Sequence, residues 1–287
     1  MTAVPTRVGV LGGGRMGAGI AHAFVLAGST VAIVERDADS VKMARARILA
    51  GLLTSVERGT TKEALEDLTA RVRISDDISV FAQAQLVVEA VPESLELKVD
   101  ALARAEAAVP ATAWLASNTS SISITTLANS LVRPAQFLGM HFFNPVPPSK
   151  LVEIVVGEQT SEELVTAAQG WVIALGKTPI TVKDVPGFAS SRLGLALGLE
   201  AIRMLEDGVA SADDIDSAMV LGYGHPMGPL KLTDVVGLDV RLGIAEYLQA
   251  MLGDRFAPPA LLRAKVERGE LGRKSGKGFY DWPKENS

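Results

Sequence analysis

The stretch Gly12-Gly13-Gly14-Arg15-Met16-Gly17 constrains this chain more than any other. It follows an apolar run, Val8–Leu11, and opens a helical pattern, Met16–Ala27. In that setting G-x-G-x-x-G reads as a dinucleotide-binding turn. Gly12 permits the tight turn, Gly14 lets the backbone approach a pyrophosphate, and Gly17 lets the helix sit close on the strand. The free N–H groups at the helix start then hold the anion. The next β run, Thr30–Glu35, ends in an acid 23 positions after Gly12, near the offset of about 20 at which a carboxylate meets the adenosine ribose. A carboxylate there repels a 2′-phosphate, so Glu35 favours NAD over NADP, and Arg36 beside it blunts that preference. The alternative for Glu35 is a solvated strand end.

Beyond the turn, short β-rich runs alternate with helical patterns. Val72–Ser75, Leu86–Val91, Ala113–Ser117, Phe137–Phe143, Leu151–Gly157 and Ile180–Lys183 read as strands, and their continuous apolar character suits a sheet covered on both faces. Ser40–Arg58, Lys62–Ala70, Glu93–Ala108 and Glu162–Leu175 read as helices. The alternation predicts parallel βαβ units, hence an α/β, doubly wound sheet of the Rossmann type. The stretch between Glu35 and Leu86 is long for one crossover, and it breaks at Gly59-Thr60-Thr61. It predicts an inserted helical hairpin over about 38–70, projecting from the sheet domain and locally basic through Lys42, Arg45, Arg47 and Arg58. After Pro186-Gly187 the β signal fades. Phe188–Glu206, Ala212–Leu221, Leu230–Met251 and Pro259–Arg268 all carry helical patterns. The expected division is therefore a nucleotide-binding domain over 1–185 and an all-α C-terminal domain over 186–287.

Composition narrows the function. With 287 residues, 48% of them hydrophobic, the chain can build substantial cores, and disorder is excluded. A net charge of −5 argues against a nucleic-acid partner, which needs a basic face. The absence of cysteine removes disulfides, thiolate metal sites and cysteine nucleophiles together. No apolar run approaches the ~18 residues that span a bilayer. The expectation is a soluble cytoplasmic protein with no membrane partner and no metal.

Three polar features interrupt the apolar strands. His141, in Met140-His141-Phe142-Phe143-Asn144-Pro145, falls at a predicted strand end. Carboxyl ends of strands in doubly wound sheets are where ligands bind. Glu153 interrupts Leu151-Val152-Glu153-Ile154-Val155-Val156. A carboxylate in such a strand costs several kcal/mol unless it is paired or turned to solvent. A nearby histidine is a suitable partner, whose ring Glu153 would orient in one tautomer; a solvent-facing edge strand is the alternative. Ser117-Asn118-Thr119-Ser120-Ser121 follows a predicted strand. Its hydroxyls suit a substrate oxygen or the nicotinamide ribose, or simply a helix cap and turn. His22 reads as a packing residue of the first helix, and His225 as part of a rigid turn.

Together these segments are similar to the 3-hydroxyacyl-CoA dehydrogenase family, including 3-hydroxybutyryl-CoA dehydrogenases. The resemblance spans nearly the whole chain: GGGRMGAGIA at Gly12–Ala21, ASNTSSISI at Ala116–Ile124, GMHFFNPVP at Gly139–Pro147 and KLVEIV at Lys150–Val155. It continues through PGF at Pro186–Phe188, HPMGPL at His225–Leu230 and GRKSGKGFYDW at Gly272–Trp282. It implies NAD-dependent interconversion of (S)-3-hydroxyacyl-CoA, of short chain, and 3-oxoacyl-CoA by a homodimer. His141 matches the catalytic histidine, Glu153 its partner acid, and Ser117 the serine that contacts substrate and nicotinamide. Gly12, Gly14, Met16, Gly17, Glu35, Glu93, Lys98, Asn144 and Lys274 match cofactor-contacting positions. Arg58 falls near a contact to coenzyme A, with a solvated basic helix face as the alternative. Where the family carries asparagine in PGF-x-x-N-R, this chain has Ser191, which still donates one hydrogen bond but is shorter. Two other functions stay open at this point. One is an NAD-dependent dehydrogenase of a free hydroxy acid such as L-gulonate. The other is a non-catalytic NAD-binding sensor or structural protein on the same fold.

Overall fold

The computed structural model describes residues 3–283. The chain divides into two compact units, Met1–Val185 and Pro186–Ser287.

In the first unit the apolar runs become strands β1 (Arg7–Leu11), β2 (Thr30–Val34), β3 (Val72–Ser75), β4 (Leu86–Glu89), β5 (Trp114–Ser117), β6 (Phe137–Phe142), β7 (Leu151–Val156) and β8 (Thr178–Lys183). The helices are α1 (Arg15–Leu26), α2 (Ala38–Glu57), α3 (Leu65–Ala70), α4 (Leu95–Ala108), α5 (Ile124–Ala128) and α6 (Glu162–Ala174). The strands form one eight-stranded sheet in the order β3-β2-β1-β4-β5-β6-β7-β8. The order reverses at β1, between β2 and β4, so a crevice opens at the carboxyl ends of these strands. Val10, Ile33, Val88, Phe24 and Leu52 lie fully buried in its core.

Two expectations need correction here. Parallel pairing does not run throughout, because β7 is antiparallel to β6. The reason is length: residues 143–150 form a loop with no helix, whereas a parallel return needs a crossover of roughly a dozen residues or more. The hairpin also does not stand clear of the sheet. Its first helix, α2, packs along α1 and buries Ala44, Ile48 and Leu52. Asp37 caps α2 by accepting from the Ser40 amide at 2.7 Å. Helix α5, short and capped by Ser123, escaped the sequence reading because its five residues carry too little periodicity.

The second unit is helical: α7 (Ser190–Glu206), α8 (Ala212–Tyr223), α9 (Pro229–Val236), α10 (Leu238–Leu252) and α11 (Ala260–Glu267). Leu195, Leu199, Ile202, Leu230, Leu248 and Leu262 make its core. The single helix expected over Leu230–Met251 is two, because Gly237 adopts φ +107° and interrupts the ladder. The C-terminal GFYDW segment is anchored by Asp234, which is buried. Its carboxylate accepts from the Phe279 amide (2.9 Å), the Tyr280 amide (2.9 Å) and the Trp282 indole (2.8 Å). Asp216 does the same for α9, accepting from the Leu230 and Lys231 amides at 2.8 and 2.9 Å and from the Tyr280 hydroxyl at 2.8 Å. Much of the HPMGPL and GFYDW resemblance therefore lies in residues that close the helical unit upon itself.

Asp234→Ala leaves three donors without their charged acceptor. The expected loss is about 3 kcal/mol or more in urea unfolding; a change below ~1 kcal/mol would show that the tail is held by packing alone.

Candidate active site

Strand register gathers the polar side chains. Glu89 on β4 lies opposite Ser117 on β5, and Ser117 opposite Gly139 on β6. His141 follows Gly139 by two residues and so shares its face of the sheet. Glu153 on β7 stands directly opposite His141. Glu89, Ser117, His141 and Glu153 thus project from one face, toward the carboxyl ends of β4, β5 and β6.

His141 Nδ1 and Glu153 Oε2 are 2.7 Å apart, with both side chains buried. Glu153 has no exposed area, and β7 is an interior strand between β6 and β8, so the solvated edge-strand alternative falls. The Phe143 ring tilts against the imidazole at a centroid distance of 4.6 Å. Beyond it the loop is tied down by Lys177, whose ammonium donates to the carbonyls of Val146 (2.7 Å) and Ser149 (2.5 Å). The contact to Glu153 assigns the Nδ1 proton to the carboxylate side and leaves the Nε2 lone pair as the basic position. Asn144 follows on this loop and is exposed.

The second cluster centres on a residue the sequence reading did not single out, Glu89. It is fully buried. Its oxygens accept from Lys98 Nζ (2.8 and 3.0 Å), the Val91 amide (2.6 Å) and Ser117 Oγ (2.5 Å). Burial pushes the Glu89 carboxyl up, while Lys98, Ser117 and the Val91 amide pull it back. Lys98 is buried too, with Val91 O at 3.2 Å and Glu93 Oε2 at 3.4 Å. An ammonium has three donors, and here all have protein acceptors. What Lys98 supplies to the site is charge and the placement of two carboxylates. Glu93 gathers the polar cluster after β5: Thr119 Oγ1 (2.6 Å), the Ser120 amide (2.9 Å), and the Ser121 amide and hydroxyl (both 3.0 Å) donate to its Oε1. Desolvation raises the Glu93 carboxyl, but the Lys98 charge and these donors outweigh it and hold it below its ordinary value. Asn118, in the polar cluster that follows β5, accepts from the Phe142 amide at 2.8 Å and ties the end of β5 to β6.

The glycine turn has the shape of a pyrophosphate cradle. Gly12 sits at φ +95°, and its amide donates to Val34 O at 2.8 Å. A Cβ at Gly17 would lie 1.8 Å from the Gly12 carbonyl oxygen, so only glycine lets α1 approach. A Cβ at Gly14 would meet nothing within 4 Å, which leaves open space beside the backbone. Helix α1 has no side-chain cap and no acid in its first turn, so its leading amides and dipole face that space. Met16 lies in this first turn, half-buried. Glu35 directly follows β2; its Oε1 accepts from the Gly13 amide at 2.6 Å, which fixes the turn, and its Oε2 accepts from the Arg36 amide at 3.2 Å, with lone-pair capacity remaining for a hydroxyl donor. These residues fit a dinucleotide.

Other predicted positions lie outside these clusters. Arg58 is the exposed C-cap residue of α2. In the second unit, Ser191 occupies the first turn of α7, and Lys274 pairs with Asp239 at 2.6 Å. His22 is buried, with Nε2 2.8 Å from Ser55 Oγ, as a packing residue should be. A cavity of about 730 Å³ bordered by Arg7, Gln85, Trp114 and Trp171 opens at the amino ends of the strands, away from this chemistry. Among the described residues no cluster of histidine and acidic side chains could hold a metal ion, and no helix is long and apolar enough to cross a membrane.

Residues 7–185 match the family description "3-hydroxyacyl-CoA dehydrogenase, NAD binding domain", and residues 187–282 match "3-hydroxyacyl-CoA dehydrogenase, C-terminal domain". A probable 3-hydroxybutyryl-CoA dehydrogenase of Deinococcus radiodurans is 43% identical over 96% of this chain and all of its own length. Among solved structures, (S)-3-hydroxybutyryl-CoA dehydrogenase PaaH1 from Ralstonia eutropha matches with a TM-score of 0.93 at 39% identity, covering 98% of this chain and 100% of that one. FadB2 of M. tuberculosis matches with a TM-score of 0.93 at 38% identity over the same shares. The chain belongs to the 3-hydroxyacyl-CoA dehydrogenase family.

Replacing Lys98 by Met would strand the Glu89 carboxylate in the interior, at a cost of roughly 3–5 kcal/mol. The double variant Lys98→Met, Glu89→Gln should recover much of that in chemical denaturation. A single variant as stable as the parent would show that Glu89 is neutral and Lys98 dispensable.

Proposed function

We infer that this chain is an NAD-dependent oxidoreductase that interconverts 3-hydroxyacyl-CoA and 3-oxoacyl-CoA, with His141 and Glu153 as its acid–base pair. The observation that carries the reading is the buried 2.7 Å contact between these side chains at the carboxyl end of the sheet, within a chain that matches both family domains. NAD supplies the hydride acceptor when bound. Its pyrophosphate is assigned to the amides around Gly12, Gly14, Met16 and Gly17, and its adenosine ribose to Glu35.

The protein's own part is proton handling and orientation. In the oxidising direction Nε2 of neutral His141 takes the 3-hydroxyl proton; in the reducing direction the imidazolium returns it to the forming alkoxide. Glu153 holds the ring and stabilises its charged form. Glu89, Lys98 and Glu93 form a charge network that fixes Ser117 and the 118–121 loop, placing donors and acceptors where the reacting end of the cofactor and the substrate oxygens meet. Ser117 Oγ already donates to Glu89, so its part is to accept a hydrogen bond. Asn144, Lys274 and Ser191 keep their contact roles by motif position. Arg58 is assigned to coenzyme A.

The finer reading is a short acyl chain, as in the printed names of the Deinococcus and Ralstonia relatives. We also assign a homodimer formed through the helical unit, on which Leu193, Leu221, Tyr223 and Met251 are exposed. A cytoplasmic location, where both NAD and acyl-CoA occur, completes the reading.

NADH consumption on adding acetoacetyl-CoA tests the activity. His141→Gln should lower kcat roughly 10²–10⁴-fold, and Glu153→Gln by a similar order, because the amide no longer fixes the tautomer. The KM for NADH should hardly move in either. Near-normal turnover in His141→Gln would remove the assignment.

A further inference from the structure

Strand β6 outruns its neighbour β5. The pairing of the two ends with Ser117 opposite Gly139, whereas β6 continues through Met140, His141 and Phe142. On the other side β7 accompanies it through Phe142, with His141 opposite Glu153 and Phe142 opposite Val152. His141 therefore sits on a strand end that has a strand neighbour on one side only. Met140, His141 and Phe142 are all buried, and a backbone N–H that faces the missing strand there needs another acceptor.

Asn118 supplies it. Its Oδ1 accepts from the Phe142 amide at 2.8 Å. Only the oxygen of a side-chain amide can accept, so this contact fixes which way the amide is turned. Asn118 is itself buried, and its own backbone amide donates to Glu89 O at 2.8 Å. One residue thus joins the carboxyl ends of three strands: β4 through its main chain, β5 through the covalent bond to Ser117, and β6 through its side chain. The anchor is firm, because Glu89 is the residue that Lys98, Ser117 and the Val91 amide hold in place.

The clamp falls beside the imidazole. The Phe142 N–H and the His141 C=O belong to one planar peptide group. Holding that N–H fixes the plane that leaves the His141 Cα, and with it the direction in which the ring is carried toward Glu153. The 2.7 Å contact between His141 and Glu153 leaves little room for drift, since such bonds weaken beyond about 3.2 Å. Removing the acceptor would leave a buried N–H unsatisfied, and the peptide would turn to find a new partner.

We propose that Asn118 is a positioning residue for the acid–base step, holding the His141 peptide from the β5 side while Glu153 holds the ring from β7. The kinetic part of the proposal rests on the dehydrogenase reading; the effect on the ring does not.

The test compares the full-length parent with Asn118→Leu, which has nearly the same volume but no acceptor, and Asn118→Asp, whose carboxylate can accept from the same amide. In NADH oxidation with acetoacetyl-CoA, Asn118→Leu should lose about 10–100-fold in kcat and leave the KM for NADH nearly unchanged. Asn118→Asp should recover most of that loss. In ¹⁵N spectra recorded without substrate, the His141 ring nitrogens of Asn118→Leu should lose the single-tautomer pattern of the parent, and those of Asn118→Asp should keep it. Asn118→Ser, whose hydroxyl is too short to reach Phe142, carries the same test where the leucine variant does not fold. A folded Asn118→Leu or Asn118→Ser with parental kcat and only a lower melting temperature would make Asn118 a structural staple and overturn the proposal. So would a loss of kcat with unchanged His141 signals, or an aspartate variant no better than the leucine one. A parent that does not reduce acetoacetyl-CoA overturns the dehydrogenase reading instead, and the His141 spectra alone then decide whether Asn118 holds the ring.

Discussion

The antiparallel pairing of β6 with β7 is the constraint on which this molecule's chemistry depends. It sets His141 directly opposite Glu153. A one-residue slip would turn one of the two to the other face of the sheet. Register is secured by the apolar neighbours Met140, Phe142, Val152 and Ile154, all buried. Hydrophobic packing thereby positions a pair of polar groups that would be costly to bury separately. The loop joining the strands is in turn held by the Lys177 ammonium on two carbonyls. Precision at the imidazole comes from sheet geometry rather than from a mobile loop.

Two carboxylates do comparable work elsewhere. Glu89 organises the carboxyl ends of β4 and β5, and Asp234 closes the helical unit. Each is buried, and each satisfies several donors at once. Such hubs explain why runs that look like ligand motifs, among them GFYDW, are in part devices that hold backbone amides in place. They also divide the labour around the cofactor, since Lys98 sets the charge of Glu89 and Glu93, and Glu93 shapes the loop after β5.

The sequence made the local features legible. The glycine turn, Glu35 directly after β2 and the oddity of Glu153 in an apolar run all carry short-range signals, and their structural settings follow from sterics and desolvation. The change of character after Pro186 is equally visible as lost β signal. What escaped depends on partners distant in the chain. Glu89 looks like the last residue of an ordinary strand until Lys98 and Ser117 meet it. Asp234 looks like a solvated helix residue until Phe279, Tyr280 and Trp282 fold back onto it. The antiparallel turn was missed because the rule for alternating strands and helices overlooks a connection too short to hold a helix. The break at Gly237 was hidden inside an apolar pattern that continues on both sides.

The protonation of one ring tests the central claim most directly. With ¹⁵N-labelled histidine, the His141 signals at neutral to alkaline pH should show a neutral ring bearing its proton on Nδ1, toward Glu153, with Nε2 unprotonated. A ring protonated on Nε2 instead, or one whose tautomer is unchanged by Glu153→Gln, would contradict the account.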